Sequence, residues 1–324
     1  MSDTTPWPLP APDLAPWRAG NTGCEGVWRF ESAAAGRDVL VTTLVHGNEL
    51  CGGWAVAAAL AANLRPRRGA LTLALVNLGA FDRYDTAKPF ESRKVDQDLN
   101  RLWGLMAWRA GPAEAFDHEQ RRVLAVLPFI ERADWLLDLH SMSAEAPALM
   151  LTGMAPRNTE LALAIGAPAL VVADAGHAEG SRMRDHGAFG VVDDDGRDKR
   201  ALLLECGFHG ALSSRTVALD VTARFLVASG AVDEGDLPSD WRQQLPVQQQ
   251  RVVVTQAVAA LPGEPPRFAA DWQTGQRIAG AGTLLGWNGG APFHTPYDDC
   301  TLIMPSLRQV RPGLTIVRLA RDAD

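Results

Sequence analysis

Cysteine is scarce and follows no pattern: Cys24, Cys51, Cys206 and Cys300 are scattered, with no CxxC pair and no dense disulfide spacing. That excludes a small disulfide-stapled scaffold and predicts reduced thiols. Long apolar runs are missing too. The longest alanine-rich stretch, "WAVAAALAANL" at 54–64, falls well short of the roughly 20 residues needed to span a bilayer, which argues against a membrane partner. The opening stretch, "MSDTTPWPLPAPDLAPW", has acids and prolines where a secretory leader would carry a basic patch and an apolar core. The expectation is a cytoplasmic protein. Positive charge is also in deficit, with 31 Lys and Arg against 38 Asp and Glu and a formal net charge of -7. A general binder of nucleic acid would want a basic face, so no nucleic-acid partner is expected. Any positive potential must be local, set by a few arginines in a pocket.

What is present is ordinary globular composition, 47% hydrophobic and 21% charged. At 324 residues, two domains or one large domain with an appendage is expected. Short apolar runs alternate with helix-like segments. "DVLVTTLVH" (38–46), "GALTLALVN" (69–77), "ADWLLDLHS" (133–141) and "RALLLECG" (200–207) read as strands. "APALMLT" and "PALVVAD" are further strand candidates. Helices are expected over 51–64, 112–132 and 213–230. This predicts an α/β fold, a mixed central sheet with helices on both faces. From about 231 the chain turns acidic, then rich in Pro and Gln, as a linker would be. Beyond 250, short β-like pieces alternate with Gly and Pro turns, predicting a small C-terminal all-β domain. The expected division is an α/β domain over 1–235, a linker over 236–250 and a β-rich domain over 251–324.

The chemistry-bearing residues sit where predicted strands end. In "VTTLVHGNELCGG" (41–53) a β-branched run breaks into His46, Gly47, Asn48 and Glu49. A turn there lets side chains at i and i+3 point into one space, at the strand end where open α/β sheets place their ligand crevice. "WLLDLHS" ends a second strand with His140. Two imidazoles and a carboxylate make the three-ligand set of a catalytic zinc, with a fourth position left for water. A third strand end, "ALLLECG", offers Glu205, a carboxylate suited to act as general base and then as acid toward a leaving amine. Between these lies "ESRKVDQDLNR" (91–101). Its Arg93, Asn100 and Arg101 suit gripping a carboxylate and polarising a carbonyl. Asp98 could orient a ligand histidine.

"HGNELCG", "SRKVDQDLNR", "DLHS" and "LLLECG", in this order and spacing over about residues 40–230, resemble the motif series of the succinylglutamate desuccinylase/aspartoacylase family, itself similar to zinc carboxypeptidases. The resemblance implies a zinc-dependent hydrolase, one Zn2+ per chain, that removes an acyl group from an amino acid nitrogen. It implies His46, Glu49 and His140 as zinc ligands and Glu205 as the general base. Arg93 matches the residue that polarises the scissile carbonyl. Asn100 and Arg101 match the pair that binds a substrate carboxylate, and Asp98 the support of the first ligand histidine. The implied partner is a small acidic N-acylated substrate, with a homo-oligomer left open. The family's β-rich C-terminal domain can add a tyrosine to the pocket; of the two tyrosines here, Tyr84 and Tyr297, the second lies in that region. "DLHSMSAEAPALM" lacks the Asn- or Thr-rich continuation of the two namesake enzymes, so neither namesake's substrate specificity carries over.

Other readings remain beside these. The same zinc centre suits a carboxypeptidase or small-ester hydrolase, and a non-catalytic metabolite-binding protein could use the arginines alone. "GHAEGSRMRDHGAFG" (176–190) offers His177, Arg182, Arg184 and His186, read as a polar surface loop ahead of a lid. His118 opens "HEQRR", which is no H-E-x-x-H zinc helix because position 122 is Arg. His209 and His294 have no assigned role. Cys51 and Cys206, although beside the motifs, read as small buried thiols.

Overall fold

The structure is a computed structural model that describes residues 7–104, 106–176, 180–193, 196, 198–308 and 310–323. The chain enters the sheet with β1 (Val27–Glu31) and β2 (Asp38–Thr43), then crosses through α1 (Leu50–Ala61) to β3 (Ala70–Leu75). A short α2 (Leu78–Phe81) and a loop of 3-10 turns lead to α3 (His118–Arg132) and β4 (Trp135–Met142). Then follow β5 (Leu149–Leu151), α4 (Pro156–Ile165), β6 (Leu170–Ala173), β7 (Arg200–Phe208) and α5 (Leu212–Ala228).

The β-rich remainder comprises β8 (Gln250–Ala259), β9 (Arg267–Phe268), β10 (Arg277–Ile278), β11 (Leu284–Asn288), β12 (Ala291–His294), β13 (Cys300–Ile303) and β14 (Thr315–Asp322). Among the described residues, eleven strands form one mixed sheet in the order β1-β3-β2-β4-β7-β5-β6-β8-β14-β13-β10. A second, three-stranded antiparallel sheet has the order β12-β11-β9. The expected α/β architecture with a β-rich C-terminal part is therefore present. Its β8 pairs in parallel with β6, Leu170 opposite Gln250, so four C-terminal strands prolong the central sheet.

The strands at the centre are apolar on both faces, as parallel strands covered by helices must be. β3 and β4 are buried along their whole length. α1 is built from small residues because it lies close against the sheet. A Cβ on Gly52 would come within 2.0 Å of the Thr43 Oγ1 and 2.9 Å of the Leu139 Cβ, so only glycine allows this approach. That contact fixes the helix whose preceding residue is Glu49.

The helix expected over 112–132 begins later, at His118. Asp117 and Gln120 form a capping box there, and the preceding Ala113–Ala115 is a separate 3-10 turn. The acidic, Gln-rich stretch after α5 is packed rather than loose. Trp241 is buried, Gln243 donates its backbone N–H to Asp220 on α5, and Arg224 bonds the Gln243 carbonyl. Among the described residues, no helix is long and apolar enough to cross a membrane.

Candidate metal and substrate site

The loop after β2 and the end of β4 bring His46, Glu49 and His140 together, each buried. Their ligand atoms lie within 4.8 Å of one another. Glu49 holds the middle: its Oε1 is 2.7 Å from His46 Nδ1 and its Oε2 is 2.7 Å from His140 Nδ1. The outer nitrogens are held by carboxylates. His46 Nε2 lies 2.9 Å from Asp98 Oδ1, and His140 Nε2 lies 2.8 Å from Asp138 Oδ2.

This arrangement suits a cation. If each Nε2 donates its proton to its aspartate, both Nδ1 lone pairs face the Glu49 carboxylate. Such a cluster of acceptors is stable only with positive charge shared among them, supplied by a metal ion or by protons. A carboxylate behind each ligand imidazole is also the usual support in metal centres, since it fixes the ring and raises its basicity. Two nitrogens and one oxygen are donors that zinc accepts readily.

The electrostatics follow. Burial alone would keep the His140 ring neutral, but Asp138 and Glu49 outweigh it and raise the pKa well above the ordinary histidine range. Burial likewise works against ionised Glu49, yet His46 and His140 draw its carboxyl well below the usual range. Asp98 is held low by Arg93 and His46 against the same opposition from burial.

Glu205 sits opposite His140 across the β4–β7 ladder. Among the described residues its buried Oε2 makes no hydrogen bond, and its pKa is pushed up to about 8 by burial, with further help from the nearby Glu49 charge. An unpaired buried carboxyl oxygen of this kind is costly unless used. Immediately beyond it the ladder register shifts, and Gly207 takes φ +102°, a left-handed conformation open to glycine. The irregularity lets both Glu205 and Phe208, three residues apart on one strand, line the same cavity.

That cavity has a volume of about 830 Å³. His46, Glu49, Arg93, Asp98, Asn100, Arg101, His140 and Glu205 all line it, so eight of the nine residues singled out in the sequence converge. Arg93 is anchored at its rim by two carboxylates, with Nη2 3.0 Å from Asp98 Oδ2 and Nη1 3.4 Å from Glu49 Oε1. Asn100 receives the Met183 backbone N–H on its Oδ1, and its Nδ2 is 3.5 Å from His140 Nε2. Arg101 bonds the Asn100 carbonyl.

Tyr297 is the exception. It packs in the C-terminal core with Phe268, Trp272 and Phe293, bonds the Thr255 hydroxyl and lies outside the cavity lining. The C-terminal part contributes other groups to the wall instead, among them Trp272, Met304, Arg308 and Arg318. Tyr84, the other tyrosine, packs at a tilt against Trp7.

Residues that the motifs did not mark also matter. Asp138, two positions before His140 on β4, shares its strand face by the period of two; the "D-x-H" spacing carried that signal. Glu119 is fully buried on α3. It accepts the backbone N–H groups of Val95, Asp96 and Gln97 at 2.7, 2.9 and 3.2 Å, pinning the loop that carries Arg93 and Asp98. Arg182 and Arg184, read as surface residues, are buried. Asp174 and Asp185 pair with Arg182, and Asp185 also with Arg184; that neutralisation allows the burial. His177 lies outside the described residues. His186 bonds the Trp103 carbonyl and His118 bonds Asn77, both structural roles. Cys51 and Cys206 are free buried thiols.

Several solved structures share this fold. The chain resembles succinylglutamate desuccinylase from Vibrio parahaemolyticus at TM-score 0.65 and 13% identity, over 93% of this chain and 87% of that one. It resembles the Vibrio cholerae desuccinylase at TM-score 0.63 and 18% identity, covering 92% and 86% of the two chains. The product-bound ectoine utilization protein from Ruegeria pomeroyi follows at 0.60 and 17%, covering 91% and 87%. No curated protein matches the sequence. The model of the succinylglutamate desuccinylase/aspartoacylase catalytic domain matches residues 35–218, more than half of the 324. On that match, and with the motif residues gathered at one cavity, the chain belongs to the succinylglutamate desuccinylase/aspartoacylase family.

Proposed function

We propose that this chain is a zinc-dependent hydrolase that cleaves the amide bond of an N-acylated amino acid or similar small carboxylate. The observation that carries the reading is the Glu205 carboxyl, its buried Oε2 without a partner among the described residues, set in register with His140 beside the His46–Glu49–His140 cluster. A protein that only bound a metabolite would have no use for so costly a group in that position.

His46, Glu49 and His140 would hold the zinc, which would supply Lewis acidity to activate water. Glu205 then takes the proton of the attacking water on its carboxylate. It then returns that proton to the departing amide nitrogen. Arg93, fixed by Asp98, donates hydrogen bonds toward the carbonyl oxygen as negative charge develops there. Asn100 and Arg101, on the same wall, receive the substrate carboxylate and set the register of the scissile bond.

The test is a screen of N-acetyl, N-succinyl and N-formyl amino acids with zinc-loaded protein, beside C-terminal peptides and small esters. Release of free amine from an N-acyl amino acid, lost in Glu205→Ala, is the expected result. Preferential turnover of peptides or esters would assign the same centre to another bond, and binding without product would leave a binding protein.

A further inference from the structure

One histidine in the cavity wall takes no part in the chemistry above. His209 follows Phe208 at the end of β7 and is 2% exposed. Its backbone N–H bonds the Met142 carbonyl, and its ring Nδ1 lies 2.7 Å from the Ser141 Oγ. Ser141 in turn gives its backbone N–H to Glu49 Oε2 at 3.2 Å and directly follows His140, so the imidazole stands one residue away from the metal cluster. Nε2 makes no hydrogen bond among the described residues. Since His209 lines the cavity, Nε2 is the ring nitrogen left to an occupant.

The surroundings define what that occupant is. Aromatic rings enclose the imidazole: Trp7 at 5.6 Å, Phe90 at 6.2 Å and Phe208 at 6.4 Å between centroids, the last stacked. Phe90 and Phe208 line the cavity themselves, as do Met142, Trp272 and Met304. Trp7 backs the recess and packs so closely on Gly210 that a Cβ there would come within 2.5 Å of the indole. Burial pushes the His209 pKa down to about 3, so the ring is neutral and is no anchor for an anion. Arg308 lies over the Phe90 ring at 4.3 Å and is part of the wall. A neutral hydrogen-bonding atom set among aromatic and thioether surfaces suits a planar apolar group with one polar edge.

We propose that His209 is a specificity-determining residue, which with Phe90 and Phe208 forms a recess beside the metal cluster for an aromatic group of the substrate. This rests on the hydrolase reading above and narrows it: the preferred N-acyl substrates carry an aromatic ring, on the amino acid or on the acyl group, rather than a second carboxylate.

Zinc-loaded wild type, His209→Phe and His209→Gln are compared on four probes: N-acetyl-L-phenylalanine, N-benzoylglycine, N-acetyl-L-aspartate and N-acetylglycine. Zinc content and melting temperature are measured for each protein. Wild type is expected to favour one of the two aromatic probes, and which one tells whether the ring sits on the amine or the acyl side. In His209→Phe the ratio of kcat/KM for that probe to N-acetylglycine should fall about tenfold, mainly through KM, with zinc retained. His209→Gln, which keeps a polar atom at similar reach, should recover part of the loss. A wild type that prefers N-acetyl-L-aspartate, or variants with an unchanged ratio, overturns the proposal. If no probe is hydrolysed, the hydrolase reading fails separately, and calorimetric binding of N-acetyl-L-phenylalanine decides this one. Binding weakened by His209→Phe keeps the recess; no binding, or equal binding, removes it.

Discussion

His140 and Glu205 are register partners on adjacent parallel strands, β4 and β7, although 65 positions (205 − 140) separate them in sequence. The ladder therefore fixes the spacing of the His140 imidazole and the Glu205 carboxyl, the proposed ligand and proton carrier, through backbone hydrogen bonds rather than through flexible loops. Sites built on strands in this way hold their geometry closely. Glu49 comes to the same point from the start of α1, held down by the close contact of Gly52 with Thr43.

From this placement, Glu205→Ala should keep zinc and lose turnover. The carboxyl is beside the cluster and not in it, so metal content measured by atomic emission should remain near one per chain. General acid–base catalysis commonly supplies about 10²–10⁴-fold, and the loss in kcat should fall in that range. A variant with near wild-type kcat would remove Glu205 from proton transfer.

Asp138 should matter to the metal without touching it. Its Oδ2 lies 2.8 Å from His140 Nε2 and its Oδ1 accepts the Thr42 hydroxyl at 2.7 Å, so it orients the ring from within the sheet. Asp138→Asn should weaken zinc affinity by about 10–100-fold, the usual cost of losing the carboxylate behind a ligand histidine. His140→Ala should abolish binding at the same zinc concentrations. Competition with a chelator reads both, and equal affinity in Asp138→Asn and wild type would refute the orienting role.

These residues differ in how legible they were. His46, Glu49, His140 and Glu205 could be read from sequence because each closes an apolar strand-like run, and parallel sheets gather such ends at one edge. Arg93, Asp98, Asn100 and Arg101 came with a family motif rather than with a periodicity. Tyr297 lies outside the cavity lining because a turn-rich β segment specifies no direction for a side chain; here it packs against the C-terminal core. Arg182 and Arg184 read as exposed because charge density along a loop signals solvent, whereas Asp185 pairs with both and Arg182 also meets Asp174, which arrives from β6's end in three dimensions only. His209 had no local signal at all: its meaning comes from Ser141 and from Trp7, near the start of the chain.

Glu119 makes a prediction about the loop rather than the chemistry. Its carboxylate satisfies three successive backbone N–H groups and the Asn77 side chain from a fully buried position. Glu119→Ala leaves those donors unpaired, at about 1–3 kcal/mol for each group that water does not reach. The melting temperature should fall by several degrees, and KM should rise because Arg93 and Asp98 ride on the released segment. Glu119→Gln should recover part of both. Unchanged KM with lowered stability would confine Glu119 to folding.

Protons and zinc should compete for the same cluster, and the sign of that competition can be worked out. His140 has a raised pKa in the metal-free fold, so its stabilisation is complete below the ordinary histidine value of about 6.5 and is lost as pH climbs through the folded value. Glu205, raised to about 8, keeps a proton that the unfolded chain gives up near pH 4.3, so its effect on stability also declines up to about pH 8. Glu49 and Asp98 are held low; their contribution is complete above about pH 4.3 and adds no slope at neutral pH. The metal-free protein should therefore weaken between pH 6 and pH 8. Zinc requires neutral imidazoles, so its binding is favoured as His140 gives up its proton. At about 100 times its dissociation constant a ligand adds about 2.7 kcal/mol, several degrees of melting temperature for a chain of this size. Thermal melts with zinc and with chelator at pH 6, 7 and 8 should show the zinc-dependent rise growing with pH. A rise that is equal at all three, or larger at pH 6, would mean that the ion does not displace protons from His140 and binds elsewhere.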